Sequence, residues 1–304
     1  MHLGVMLGME GPAVTIEKII ETAKNLEAKG IHHIWMPNIF SFDAISTLSI
    51  IGRETDRIGL GTAVTPTYPR HPTAIAQQAL TAAAVTGNRF TLGIGLSHRI
   101  VIENMMGLSY DKPARHMREY LSVLMPLLHG EELNFDGKHF NVHGVRFLVS
   151  GANAVPTVVA ALGPAMLKTA GELADGTSTW MVGHRTMEQH IVKRVTAAAH
   201  AAGRPIPRIV GGVPITLTNQ PDAARSNIAA NLAMYGQLPS YRAMLDFEGV
   251  DGPGDIAIVG NENVLREEID RFRNAGVTDL NAAIMDVEDG AYDRTLDFLA
   301  DLSW

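Results

Sequence analysis

The chain has 304 residues, 46% hydrophobic and 19% charged, with a formal charge of −7 and no cysteine. That length and apolar share support two ordinary domains or one large barrel or α/β sheet, and argue against a disordered chain. The acidic balance argues against nucleic-acid binding, whose affinity comes from Lys and Arg on phosphates, and the missing cysteines exclude disulfides, thiolate metal sites and cysteine nucleophiles.

No apolar run reaches the roughly 20 residues of a membrane helix. The opening MHLGVMLGMEGP has no basic region ahead of its apolar stretch. A soluble, cytoplasmic protein without a membrane partner is expected.

In chain order, HLGVMLG (His2–Gly8) reads as a strand, and Val14–Lys29 as a helix with Ile16, Ile19, Ile20, Ala23 and Leu26 on one stripe. IHHIWMP is a second strand, followed by a helix over Asp43–Thr55. Arg57–Val64 is the third strand, with its helix over Thr73–Thr86, and RFTLGIGL is the fourth. A helix over Tyr110–His129 follows, then a hairpin FDGKHFNVHGVRF turning at Asp136-Gly137. Strand TVVAAL, helix Pro164–Leu173, strand GTSTWM and helix Arg185–Ala202 restore the alternation. Strand RIVGGVPITLT and helix Pro221–Tyr235 continue it, while YRAMLDFEGVDGPGDIAIVG reads as an irregular lid. A helix over Glu262–Ala275, strand DLNAAIMD and helix Ala291–Leu302 close the chain. About eight β–α pairs without a dividing linker predict one α/β domain over 1–304, a TIM (β/α)8 barrel with insertions.

Chemistry in such a barrel belongs at the carboxyl ends of the strands. GIGLSH approaches the dinucleotide fingerprint, but His98 replaces its third glycine and the segment follows the fourth strand. His32 and His33 point to opposite faces of their strand, and His139 and His143 lie about 13 Å apart along theirs, so no metal site is expected. Glu10, Asp286 and Glu288 read as solvated loop charges, which argues against a glycosidase carboxylate pair. His98, just past the fourth strand, is of the type that moves protons near neutrality; its plain alternative is a loop histidine. Tyr68, Trp35 and Trp180 fit core positions, though Trp180 at a strand end equally fits the wall of a flat ligand. Arg70 and His71 read as a solvated face that also stands within reach of an anion. In LGPAMLKTAG, Pro164 suits a first helical turn and Gly163 lets backbone approach a ligand, leaving amides at Gly163, Ala165 and Met166 for an anion. In GLGTAVTPTYPR, small residues end a strand and Pro66 and Pro69 stop its pairing, which points to something flat lying against that backbone.

Three stretches together carry a resemblance. LGTAVTPTYPRHPTAIAQQALTAAAVTGNRFTLGIGLSH, AALGPAMLKTAGELADGTSTWM and VDGPGDIAIVGNENVLREEIDRFRNAGV resemble the bacterial-luciferase-like superfamily, and within it most closely the oxidoreductases using the deazaflavin coenzyme F420. The resemblance implies a non-prolyl cis peptide at Ala63–Val64, in a bulge against the ring at the bottom of the largest pocket. It implies cofactor contacts from Asn38, Ala63, Val64, Thr65, Gly95, Leu96, Ser97, Leu162, Gly163, Pro164 and Ala165, and Trp180 at its strand end is a further expected cofactor contact. His98 aligns with the family's proton-carrying acid, and Ile39, Phe40 and Tyr68 fall on the substrate side. Asn38 and Ile39 replace the aspartate and histidine of the family's sugar dehydrogenases, and no sugar-phosphate lysines have counterparts. These departures argue against a sugar-phosphate substrate, and the Ile39/Phe40 rim favours a lipophilic or aromatic one. The resemblance further implies a homodimer. It leaves two alternatives to F420 turnover: an FMN-dependent monooxygenase and a barrel that binds cofactor without catalysis.

Overall fold

The computed structural model describes residues 1–8 and 14–302. Glu10 lies outside the described residues. The elements in chain order are β1 (His2–Met6), α1 (Ile16–Ala28), β2 (His33–Met36), α2 (Ala44–Glu54), β3 (Gly59–Thr62), β4 (Thr65–Pro66), α3 (Pro72–Val85) and β5 (Phe90–Gly95). After a π-helical turn (Ile100–Met105) come α4 (Pro113–Leu128), the hairpin β6 (Leu133–Asp136) and β7 (Asn141–Val145), β8 (Thr157–Ala160), α5 (Pro164–Leu173) and β9 (Gly176–Trp180). Then follow α6 (His184–Thr186), a second π-helical turn (Met187–Val192), α7 (Lys193–Ala201) and β10 (Arg208–Leu217). The chain closes with α8 (Pro221–Asn231), α9 (Ala233–Gln237), α10 (Pro239–Glu248), α11 (Pro253–Ile256), β11 (Ile258–Gly260), α12 (Glu262–Asn274), β12 (Asp279–Ile284) and α13 (Ala291–Ala300).

Parallel pairing runs β1–β2–β3–β5–β8–β9–β10–β12 and returns to β1, closing an eight-stave barrel. The expected TIM barrel is therefore present. Helix starts follow local chemistry: Thr15, Asp43 and Asn261 cap α1, α2 and α12 through their side chains. No helix among the described residues is long and apolar enough to cross a membrane.

Several predicted boundaries move, each for a visible reason. The third strand breaks at Ala63–Val64 and resumes as β4, which pairs Thr65 with Ile94. The hairpin turns through residues 137–140, because Asp136 still pairs with Asn141 and the Glu119 carboxylate holds the amides of Lys138 and His139. The segment read as an irregular lid is ordered: it forms α10, α11 and β11, the last paired to the long end of β10. Its many Gly and Asp residues serve as caps and turns between short elements, which periodicity over a long window does not register.

One indole fills much of the barrel lumen. Trp35 is fully buried beside Val158 and Val210, with Ala63 packed on this group. A Cβ at Gly4 or Gly61 would stand 2.7 or 2.3 Å from the indole, so glycines on neighbouring strands make its room. Below it, at the amino ends of the strands, Arg208 lies 5.1 Å from the Trp35 ring and holds Asp279 through two bonds of 2.6 and 2.9 Å. The same guanidinium reaches Thr91 at 3.0 Å and His33 at 2.9 Å.

Burial raises the Asp279 carboxyl's pKa, but the Arg208 bonds and charge, with Thr278 and His33, more than reverse this. Its folded pKa is thus below its unfolded value, so the stabilisation exists above the unfolded pKa of about 3.9 and fades as pH falls through the folded one. We expect Asp279→Asn to flatten the acid limb of a stability-versus-pH curve measured by urea unfolding. An acid limb unchanged in slope would show that other carboxylates set it.

Candidate active site

The carboxyl ends of the barrel strands gather the predicted residues from β2, β3, β5, β8 and β9. The Ala63–Val64 peptide is cis, as the resemblance implied. Both residues are half-buried, and Ala63 donates its amide to the Met36 carbonyl at 2.8 Å. The glycines of β5 explain how the bulge fits. A Cβ at Gly93 would stand 1.9 Å from the Thr62 carbonyl oxygen, and one at Gly95 would stand 2.5 Å from a Val64 methyl. The Thr62 carbonyl and the Val64 side chain therefore occupy space that these two glycines leave free. Beside it, the Thr65 hydroxyl is buried without a partner among the described residues.

Two cavities lie away from the bulge. One of about 320 Å³ opens at the amino end, among Arg204, Arg208, Thr278 and Asp279. The other, of about 290 Å³, lies between Gly183–Arg185, Arg225 and Glu248.

Asn38 is half-buried, and its Oδ1 accepts the Ala44 amide at 3.0 Å, so one end of this side chain helps start α2. Its amide nitrogen remains as a donor. Ile39 and Phe40 are 48% and 67% exposed, forming an apolar rim. Arg70 is tied to Asp43 at 2.6 Å and His71 caps α3, so both have structural partners.

Gly163 is exposed, and a Cβ there would meet nothing within 4 Å. Among the described residues no side chain caps α5, and the amides of Ala165 and Met166 find no acceptor. The preceding Leu162 carbonyl is held by His190 Nε2 at 2.7 Å, which positions the turn. This is an open set of backbone donors at a helix start.

Leu96, Ser97 and His98 leave β5 half-buried, Ser97 with φ 58°. The Ser97 carbonyl accepts the Tyr110 hydroxyl at 3.2 Å. Tyr110 stacks on Tyr68, which in turn stacks on His116 at 4.0 Å. The His116 Nε2 lies 3.0 Å from Thr67 Oγ1, and burial with nearby His139 lowers this imidazole's pKa to about 4. Tyr68 thus lies inside a stack that joins the bulge segment to the β5 exit. Its hydroxyl is buried without a partner among the described residues, and burial pushes its pKa up.

His98 is a titratable group of the mouth. Burial lowers its pKa below the ordinary imidazole value, keeping the ring neutral at pH 7. Its ring lies 6.2 Å from Tyr235 and 5.9 Å from Tyr241, and Tyr235 lies 6.4 Å from Trp180. Sequence reasoning missed both tyrosines. They belong to the stretch between β10 and β11, where no chemical motif marks them, and only the folding of α9 and α10 brings them over β5 and β9. No group of acidic or histidine side chains among the described residues is arranged to hold a metal.

The chain is similar to known proteins along its length. It is 27% identical over 283 residues to a 5,10-methylenetetrahydromethanopterin reductase of Methanolobus tindarius, covering 88% of this chain and 85% of that protein. The solved coenzyme F420 dependent tetrahydromethanopterin reductase of Methanopyrus kandleri superposes with a TM-score of 0.82 at 20% identity, covering 99% and 97% of the two chains. The oxygenating constituent of 3,6-diketocamphane monooxygenase from Pseudomonas putida, solved with FMN, superposes with a TM-score of 0.77 at 15% identity over 99% and 97%. At those identities the two superpositions establish the fold. The family model described as luciferase-like monooxygenase matches residues 1–279. With the barrel, the bulge after β3 and the open turn before α5 in place, the chain belongs to the luciferase-like monooxygenase family.

Proposed function

We propose that the protein is a coenzyme F420-dependent oxidoreductase acting on a small organic substrate at the carboxyl end of the barrel. The observation that carries this is the uncapped Gly163–Pro164 turn, whose free amides and open front face suit the anionic chain of such a cofactor. The 27% identical methanopterin reductase supports the same reading. The unpartnered Thr65 hydroxyl beside the bulge offers a further polar contact.

When bound, the deazaflavin supplies the hydride donor or acceptor. The chain's own residues do the rest. Ala165 and Met166 would hold the anionic part through their amides, and His190 orients the turn through the Leu162 carbonyl. Ala63 and Val64, with Gly95 behind them, provide a floor of small and aliphatic groups. Asn38 would offer its free amide nitrogen to a polar group of the cofactor. Trp180, Leu96 and Ser97 line the flanks, and Ile39, Phe40 and Tyr68 stand on the substrate side. His98 takes or returns the proton that accompanies hydride transfer. A cytoplasmic homodimer completes this reading.

A second reading, an FMN-dependent monooxygenase, draws support from the FMN-bound barrel that shares this fold. Titrating purified protein with F420 and with FMN, following cofactor fluorescence, separates the two, with the tighter binding expected for F420. Tighter FMN binding would sink the deazaflavin reading. Absent turnover across a substrate panel would leave a cofactor-binding barrel without catalysis.

Gly163→Val tests the anion site within the same assay. Gly163 has φ −79° and ψ 154°, which valine adopts readily. Valine is a poorer helix cap than glycine, so stability is expected to change by less than about 1 kcal/mol. Losing the charge-assisted bonds is expected to weaken F420 binding roughly 10–100-fold. Unchanged affinity in the folded variant would place the anion elsewhere.

A further inference from the structure

Three separate loops deliver aromatic rings to one place at the mouth. β5 supplies His98, β9 supplies Trp180, and the α9–α10 segment supplies Tyr235 and Tyr241. Tyr235 and Tyr241 meet edge to face, with centroids 5.3 Å apart at 86°. His98 approaches Tyr235 at 77°, and Trp180 approaches it at 73°. All four side chains are half-buried.

The tyrosines are held by packing. Met181, Ala224, Ile228, Leu232, Ala257 and Val259 form a second apolar core, separate from the main one, and Trp180, Tyr235 and Tyr241 pack against it. Several charged side chains of the adjoining segments have partners of their own. Arg242 binds Asp246 and the carbonyls of Val250 and Asp251. Glu248 accepts the Arg185 and Thr186 amides, and Arg99 pairs with Glu103.

Ring faces and edges attract a flat apolar group through dispersion and quadrupole contacts. An aromatic and aliphatic lining offers a phosphate or carboxylate little to offset its lost hydration. We infer that Tyr235 and Tyr241 are specificity-determining residues, admitting an uncharged, flat-ringed substrate beside His98 and Trp180 and disfavouring anionic ones. This rests on the proposed function only in taking the His98 side of the mouth as the substrate side.

The test is calorimetric titration with two probes sharing one ring system, 2-acetonaphthone and 2-naphthoate, with and without saturating F420. The ketone is expected to bind at least tenfold tighter than the carboxylate. Tyr235→Leu and Tyr241→Leu should each weaken ketone binding about 3–10-fold, the worth of one aromatic pair. Tyr235→Phe and Tyr241→Phe should stay within about twofold of wild type, because the ring and not the hydroxyl makes the contact. Equal binding of the two probes, no ketone binding, or leucine variants that bind like wild type would each overturn the inference. If a leucine variant unfolds, the wild-type comparison of ketone with carboxylate still decides. The F420 titration keeps the two readings apart. Ketone preference without F420 binding sinks only the deazaflavin reading, and F420 binding without ketone preference sinks only this one.

Discussion

His98→Ala is expected to lower turnover by about 10²–10⁴-fold, the range for one general acid or base, while leaving F420 affinity nearly intact. The expectation follows from position and charge state. His98 stands just past β5, half-buried against Tyr235 and Tyr241, and its side chain makes no hydrogen bond among the described residues. An imidazole so placed is free to exchange a proton with a bound substrate. Because burial lowers its pKa, it is neutral at pH 7 and ready to accept a proton in the oxidative direction. The sign of the pH dependence follows. Oxidative kcat/KM should fall as pH drops through the His98 pKa, below the ordinary value of about 6.5, and the alanine variant should lack that limb. Turnover per bound cofactor that stays unchanged would return His98 to an ordinary loop position. Lost cofactor binding with turnover per bound cofactor preserved would make it a positioning residue instead.

Trp35→Ala is expected to destabilise the protein by about 3–5 kcal/mol, the cost of emptying a large buried aromatic site. Domains of this kind are stable by only about 5–15 kcal/mol, so the variant would be marginal. Relaxation is restricted here, because the neighbours at Gly4 and Gly61 have no side chains to move into the void. The loss would extend upward, since Ala63 rests on the same group. Trp35→Phe should recover much of the loss, because the indole N–H is buried without a partner among the described residues and no hydrogen bond is given up. Urea unfolding should show the midpoints falling in the order wild type, Phe, Ala with a constant slope. A loss under about 1 kcal/mol for alanine would mean that the lumen repacks.

The sequence alone determined the architecture and much of the mouth. Alternating strands and helices, each with its own apolar period, specify the eight-fold barrel because burial of those faces allows few other arrangements. The barrel then dictates that residues at strand ends converge, which places Asn38, Ala63, Gly95, His98, Gly163 and Trp180 at one face. The cis peptide at Ala63–Val64 entered only through family resemblance, since propensity carries no signal for it. Tertiary structure decided what has no local signature. Trp35 became the lumen plug because glycines on other strands face it, and Asn38 turned one end of its amide to the start of α2. The apparent lid became α10, α11 and β11, and carried Tyr241 to His98 alongside Tyr235 from α9. Contacts between residues more than a hundred positions apart depend on how helices pack over the barrel mouth, and no period or spacing within a short window encodes that packing.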